Sequence, residues 1–275
     1  MRYYLTNNFS NAYLGEAFLR DKIKNLLVSF ASATGATLEQ KIENAVKMLK
    51  MFRPDTNIII DSGAFSAWNS GYRVDRDELL HFYKEIKKEF PHANFINLDV
   101  IPGEKGRKPT EKEANLACQL SWENFLWFKQ NGIMTLPVFH EDDNWDYLHM
   151  MMNETDYIAI SPANDSSTKR RMVWLDRTYS ILKADYKTHG LAATSKKLLE
   201  RYPFYSVDSI NWKTVIMFAN QHSLNGERTL PRHIVSQLAK NPNTITQLVN
   251  EEITKQINLE KYITKLWASR GVKWE

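Results

Sequence analysis

A single cysteine, Cys118, stands among the 275 residues. No intrachain disulfide can form from this chain, and no multi-cysteine zinc site can be assembled from it. Glycine and proline are sparse, at 10 and 9 residues, which excludes collagen-like and Pro/Gly-rich low-complexity architectures. There is no Gly-x-Gly-x-x-Gly fingerprint and no Walker loop, so a dinucleotide- or nucleotide-binding open sheet is disfavoured. No His-x-His or His-Glu-x-x-His spacing marks a metal site. No apolar run approaches bilayer length, and the first residues carry no signal-type stretch. The expectation is a soluble protein without membrane contact, cytoplasmic in a cell. Neither cofactor nor metal is expected.

What is present is a core-forming composition. Apolar residues make up 43% of the chain, enough for a large buried core. The formal net charge is +4, a mild excess compatible with a polyanionic partner. Eight Trp, twelve Tyr and thirteen Phe supply core packing with some surplus for stacking on bases.

Apolar runs recur with helical segments between them. The runs begin at Leu26, Asn57, Asn94, Met134, Tyr157, Thr188, Tyr205 and Val215. Helical periodicity covers 38–52, 75–90, 111–130, 169–184 and 195–202. Eight such units predict a (β/α)8 barrel of the TIM type over residues 1–230. Tyr3-Tyr4-Leu5 reads as an extra strand or a barrel cap. From Pro231 the pattern becomes helical (231–239, 243–257 and about 260–269), predicting a C-terminal appendage over 231–275 packed on the barrel.

Three runs stop at a carboxylate. Asn57-Ile58-Ile59-Ile60 ends at Asp61, Asn94-Phe95-Ile96-Asn97-Leu98 at Asp99, and Tyr205-Ser206-Val207 at Asp208. A carboxylate at a buried strand end is costly unless it is paired or sits in a polar cleft. Barrel active sites lie at the C-terminal ends of the strands. Reading that edge collects Ser32, Asp61, Asp99, His140, Ser161, Asn164, Gly190 and Asp208. His140 precedes three acids, Glu141-Asp142-Asp143, and reads as a hydrogen-bonding partner ahead of a metal ligand. Paired carboxylates without a metal suit chemistry at a sugar anomeric carbon, one attacking or stabilising C1′ and the other moving protons. A further carboxylate can accept hydrogen bonds from a purine edge. The basic run Lys169, Arg170 and Arg171 lies just past the fifth strand, where it can meet phosphates.

At these residues the chain resembles the tRNA-guanine transglycosylase superfamily, and most of all its phage and bacterial branch, the DpdA-type enzymes that insert 7-deazaguanines into DNA. Asp61-Ser62-Gly63-Ala64-Phe65-Ser66 is similar to the family's Asp-Ser-Gly-Gly-Phe-Gln segment. His189-Gly190-Leu191-Ala192 followed by Ser206-Val207-Asp208-Ser209 is similar to its glycine-containing strand and nucleophile block, and Asn97-Leu98-Asp99 to the strand that reads the base. Ala64 and Ser66 depart from the pattern, and the family's Cys-rich zinc site has no counterpart here.

The resemblance implies a base-exchange pentosyltransferase. Asp208 would be the nucleophile and Asp61 the general acid/base. Asp99 would read the purine N1–H and exocyclic amine, with Ser62 and Gly63 lining the base site. Phe65 or Trp68 would stack on the base, and Gly190 would let backbone approach the ligand. The partners implied are a 7-deazaguanine base and nucleic acid, DNA ahead of tRNA because the zinc module is missing. The alternatives are a tRNA-guanine transglycosylase, an N-glycosidic hydrolase, a nucleic-acid-binding barrel without turnover, and, more distantly, a metal-dependent hydrolase.

Overall fold

The computed structural model describes residues 1–9, 13–104, 107–162, 167–210, 212–213, 220–223, 226–229 and 242–274. Strands and helices alternate along most of it. The parallel strands are β1 (Arg2–Asn7), β2 (Asn25–Ser29), β3 (Asn57–Asp61), β4 (Asn94–Ile96), β5 (Thr135–Leu136), β6 (Val138–His140), β7 (Tyr157–Ser161), β8 (Lys187–Gly190) and β9 (Ser206–Ser209). Their order is β5-β4-β3-β2-β1-β9-β8-β7-β6.

The two edges of this sheet are consecutive pieces of one chain segment, separated only by Pro137. Proline has no N–H for a sheet ladder. The strand therefore breaks there, pairing with β4 on one side through Phe95↔Thr135 and with β7 on the other through Val138↔Ala159. The Pro137 carbonyl still accepts the Ala159 N–H at 2.9 Å. The sheet thus closes into a (β/α)8 barrel of the TIM type with eight staves.

One of those staves is β1. Of the two readings of Tyr3-Tyr4-Leu5, the strand holds and the cap does not: β1 lies between β9 and β2, with Tyr4 opposite Asp208 and Leu5 opposite Leu26. The run expected as the eighth strand, beginning at Val215, lies outside the described residues, as does the expected helix at 231–239. Beyond β9 there is an antiparallel hairpin, β10 (Asn220–Ser223) with β11 (Gly226–Thr229).

The helices that flank the staves are α1 (Ala17–Arg20), α2 (Leu38–Leu49), α3 (Ala64–Ser70), α4 (Arg76–Glu89), α5 (Glu111–Gln130), α6 (Trp145–Glu154), α7 (Thr168–Leu182) and α8 (Lys196–Arg201). The long ones begin where capping chemistry dictates. Thr37, Asp75, Asn144 and Ser167 accept first-turn N–H groups at α2, α4, α6 and α7, and Thr110 with Glu113 forms a capping box on α5.

Side chains alternate across each strand. Tyr4, Leu27, Ile59, Ile96, Val138 and Ala159 fill the barrel interior. Leu5, Val28, Ile60, Ile158 and Val207 face the helices. On β8 and β9 the interior carries two fully buried polar side chains, His189 and Ser206.

The C-terminal segments expected at 243–257 and 260–269 are one helix, α9 (Pro242–Ser269). It crosses the N-terminal end of the barrel, opposite the strand ends that carry the acids. Glu260 accepts the Tyr3 backbone N–H at 2.7 Å and the Asn25 amide at 2.9 Å, Trp267 donates to the Leu199 carbonyl at 2.8 Å, and Trp274 packs edge-on to Tyr205. Glu260→Ala leaves a strand N–H and a buried amide without their acceptor. A loss of about 1–3 kcal/mol in urea unfolding is expected; unchanged stability would show that α9 is not fastened through this carboxylate.

Candidate active site

Asp61, Asp99 and Asp208 converge at the C-terminal mouth of the barrel. Asp61 closes β3 and pairs across the sheet with Ser29. Asp208 lies on β9 opposite Tyr4. Asp99 is not on a strand, because β4 stops at Ile96. Instead the loop after β4 is pinned to α5. Asn97 donates to the Ser121 carbonyl at 2.8 Å, Ser121 Oγ accepts the Val100 N–H at 2.8 Å, and Asn124 donates to the Leu98 carbonyl at 2.8 Å. These bonds fix Asp99 at the rim.

Each carboxylate meets the cost of proximity to the others in its own way. Asp61 is held up to about 6. Burial is the main cause; the Ser29 hydroxyl and the Gly63 N–H pull the value down, while the charges of Asp99 and Asp208 push it up. Ser29 Oγ makes no well-formed hydrogen bond among the described residues, and it lowers Asp61 as a neighbouring hydroxyl. The Gly63 N–H reaches Asp61 Oδ2 at 3.0 Å. Gly63 has φ +82°, and a Cβ there would sit 2.7 Å from Ala31 Cβ. Only glycine allows both the left-handed turn and this close approach to the chain after β2.

Asp99, 11% exposed, binds His140 Nε2 at 2.9 Å. The other face of that ring meets Asp143, with Nδ1 at 3.3 Å from Oδ2, and the His140 backbone N–H donates to the same oxygen at 2.7 Å. Burial alone would lower the imidazole pKa, but the charge and hydrogen bond of Asp143, then those of Asp99, outweigh it and raise it to about 10. The ring is therefore a cation near neutrality. Asp143 in turn accepts the Cys118 thiol at 3.1 Å. Burial, followed by the Asp143 charge, pushes that thiol up to about 12, so Cys118 stays protonated.

Asp208, 13% exposed, is held by neutral donors. Thr6 Oγ1 donates to Oδ2 at 2.9 Å and the Ala192 N–H to Oδ1 at 3.1 Å. Ala192 has φ +51°, a conformation that costs a residue with a side chain about 1 kcal/mol or more. That strain aims its N–H at the carboxylate.

Several expected site residues have other placements. Ser62 is fully buried and accepts the Ala64 N–H at 3.3 Å, so it builds the turn instead of facing a ligand. His140 spends both ring nitrogens on carboxylates and serves to hold Asp99. Gly190 makes room for protein: a Cβ there would strike the Phe204 ring at 2.7 Å and Ala193 Cβ at 3.0 Å. Its neighbours on β8 point inward, so the missing side chain lies on the outer face. Ser161 pairs with His140 at the mouth. Phe65 opens α3 and is 60% exposed beside Trp68, whose indole N–H donates to the Gly103 carbonyl at 3.1 Å. Lys169, Arg170 and Arg171 lie in the first turn of α7, and Arg170 binds Glu141 at 2.6 Å. Ser32 caps its own turn by donating to the Ser29 carbonyl at 2.7 Å. Asn164 lies outside the described residues.

Thr6, Asp143 and His189 were not among the expected site residues. Asp143 stands three residues after His140, a spacing visible in the sequence. Thr6 follows from β1 being a stave. Among the described residues, no group of three or more His, Cys, Asp or Glu is placed to hold a metal ion. No helix among them is long and apolar enough to cross a membrane. The chain matches no protein-family model, and no curated protein matches it.

Two stability effects follow. Folded Asp61 holds its proton more tightly than the unfolded chain does, so stability falls as pH rises from about 4 to about 6. Asp61→Asn removes this cost of about 2–3 kcal/mol. Urea unfolding should find the variant more stable than the parent at about pH 8 and equal to it below pH 4; equal stability at both would refute the burial of this charge. His140 behaves oppositely. Its cationic contribution is complete below about pH 6.5 and vanishes as pH climbs through about 10. His140→Ala should cost about 3 kcal/mol at neutral pH, with the gap narrowing toward about pH 10 as the parent loses the same interaction; a gap independent of pH would contradict the ion pair.

Proposed function

We propose that the protein is a base-exchange transglycosylase that replaces guanine in nucleic acid with a 7-deazaguanine. One observation carries the reading: three carboxylates share one barrel mouth, and one of them keeps its proton to about pH 6 while a second is oriented by three neighbouring polar groups. Pairs of acids whose surroundings push them apart are how one site supplies both a nucleophile and a proton donor.

In the first half-reaction a carboxylate oxygen of Asp208 bonds to C1′ of a guanosine while the C1′–N9 bond breaks. The electron pair passes to the purine, and N9 takes the proton of Asp61. Guanine leaves and a glycosyl ester on Asp208 remains. In the second half, N9 of the entering 7-deazaguanine bonds to C1′, its proton returns to Asp61, and Asp208 departs as a carboxylate. Asp99, fixed by His140, accepts hydrogen bonds from the N1–H and exocyclic amine of either purine. Phe65 is positioned at the rim to stack on the base, and a base in a duplex would have to leave its stack to enter. Lys169 and its neighbours on α7 supply positive charge on the mouth side of the barrel for phosphates. DNA is the polymer favoured, since this chain has no multi-cysteine zinc site of the kind carried by the tRNA-specific enzymes it resembles.

The test is incubation with DNA and, separately, with tRNA, each with a 7-deazaguanine base, followed by nucleoside mass spectrometry. Replacement of guanine in DNA is expected, lost by about a thousand-fold or more in a folded Asp208→Asn variant. Unchanged nucleosides in both polymers, or parental exchange by Asp208→Asn, would overturn the proposal.

A further inference from the structure

Below Asp208 the barrel interior holds a line of polar groups. His189 on β8 is 0% exposed, and its Nε2 lies 3.4 Å from Asp208 Oδ1 with no other partner. Its Nδ1 is 2.6 Å from Ser206 Oγ, which is 2.5 Å from the Tyr157 hydroxyl. The Tyr4 ring packs edge-on against the imidazole at 5.8 Å. The four groups form a chain running up the interior: Tyr157, Ser206, His189, Asp208.

We infer that His189 is a positioning residue for Asp208, with its Nε2–H directed at the carboxylate. The hydrogen-bond inventory sets this direction. Among the described residues the Tyr157 hydroxyl has only Ser206 Oγ as a hydrogen-bonding partner, so it donates there. Ser206, having accepted, gives its own proton to His189 Nδ1. A neutral ring that accepts at Nδ1 carries its hydrogen on Nε2. The reverse order would point a bare nitrogen lone pair at a carboxylate inside an apolar barrel, which is repulsive, and would leave that nitrogen unsatisfied. At 3.4 Å the contact is long for a hydrogen bond, and such contacts tighten when a site is occupied. His189 and the Ala192 N–H hold Oδ1 of Asp208 and Thr6 holds Oδ2, which keeps a lone pair for the sugar. Hydroxyls at Ser206 and Tyr157 lock the tautomer from behind, as outer partners do for working histidines.

This inference rests on the transglycosylase reading for its catalytic part and on geometry alone for its tautomer. Both parts are tested with the intact protein. His189→Leu should slow single-turnover guanine release from DNA by about 10–100-fold without changing the concentration of 7-deazaguanine needed for half-maximal exchange. His189→Gln, whose amide can place an N–H near the Nε2 position, should recover most of the rate. Parental rate in His189→Leu, or no recovery in His189→Gln, would overturn the assignment. Nitrogen-15 spectra of histidine-labelled parent protein, with His189 assigned by its loss in His189→Gln, should show a proton on Nε2. A bare Nε2 would overturn it even if both variants fail to fold. If the parent exchanges no base, the transglycosylase reading falls, while the nitrogen spectra still decide the His189–Asp208 contact.

Discussion

Crowding three carboxylates at the mouth of one barrel is the constraint around which the rest of this structure is arranged. Like charges so placed cannot all persist without compensation. The fold supplies three different answers. Asp99 receives a cation, His140, itself held between two acids. Asp208 receives neutral donors from β1, from the strained turn at Ala192 and, at longer range, from His189. Asp61 receives only the Gly63 N–H and the Ser29 hydroxyl, too little to offset its burial, and keeps a proton instead. The division of labour proposed for the reaction follows from these answers: the group that retains a proton transfers one, the group aimed by donors attacks, and the group clamped by an ion pair reads the base.

Each answer draws on a distant part of the chain. Thr6 and Asp208 are 202 residues apart in sequence and adjacent in the closed barrel. That adjacency exists because β1 is the stave joining β2 to β9. The anchoring of α9 under the barrel, through Glu260 to β1 and β2, therefore stabilises the stave that carries Thr6. The pinned loop after β4 shows the same logic: helix side chains at Ser121 and Asn124 hold an acid that no strand holds.

Much of this was legible in the sequence. The barrel, the parallel runs ending at Asp61 and Asp208, and the gathering of acids at one edge follow from apolar runs that stop at carboxylates. The sequence leaves β1 open between strand and cap because Tyr3-Tyr4-Leu5 is short and has no preceding helix to mark a βα unit. Asp99 looks like a strand end because Leu98 leads into it from the apolar run, whereas the Asn97 N–H makes a bond to the Leu136 carbonyl and beyond it the Asp99 N–H turns back to the Asn97 carbonyl. Gly190 looked like space for a ligand, since a sequence does not reveal which face of a strand a glycine lies on; Phe204 occupies that space. Partners such as His189 and Thr6 emerge only when the barrel closes, because a contact between two staves leaves no periodic trace in either.

The most direct test of the account is to find where the sugar becomes attached. If the protein is denatured during turnover on DNA and digested, peptide mass spectrometry should place a nucleic-acid adduct on Asp208, in the peptide that contains β9. An adduct on Asp61 would reverse the roles of the two acids. DNA carrying abasic sites, with no adduct on the protein, would contradict the account, because the sugar would then have passed to water without a covalent stage.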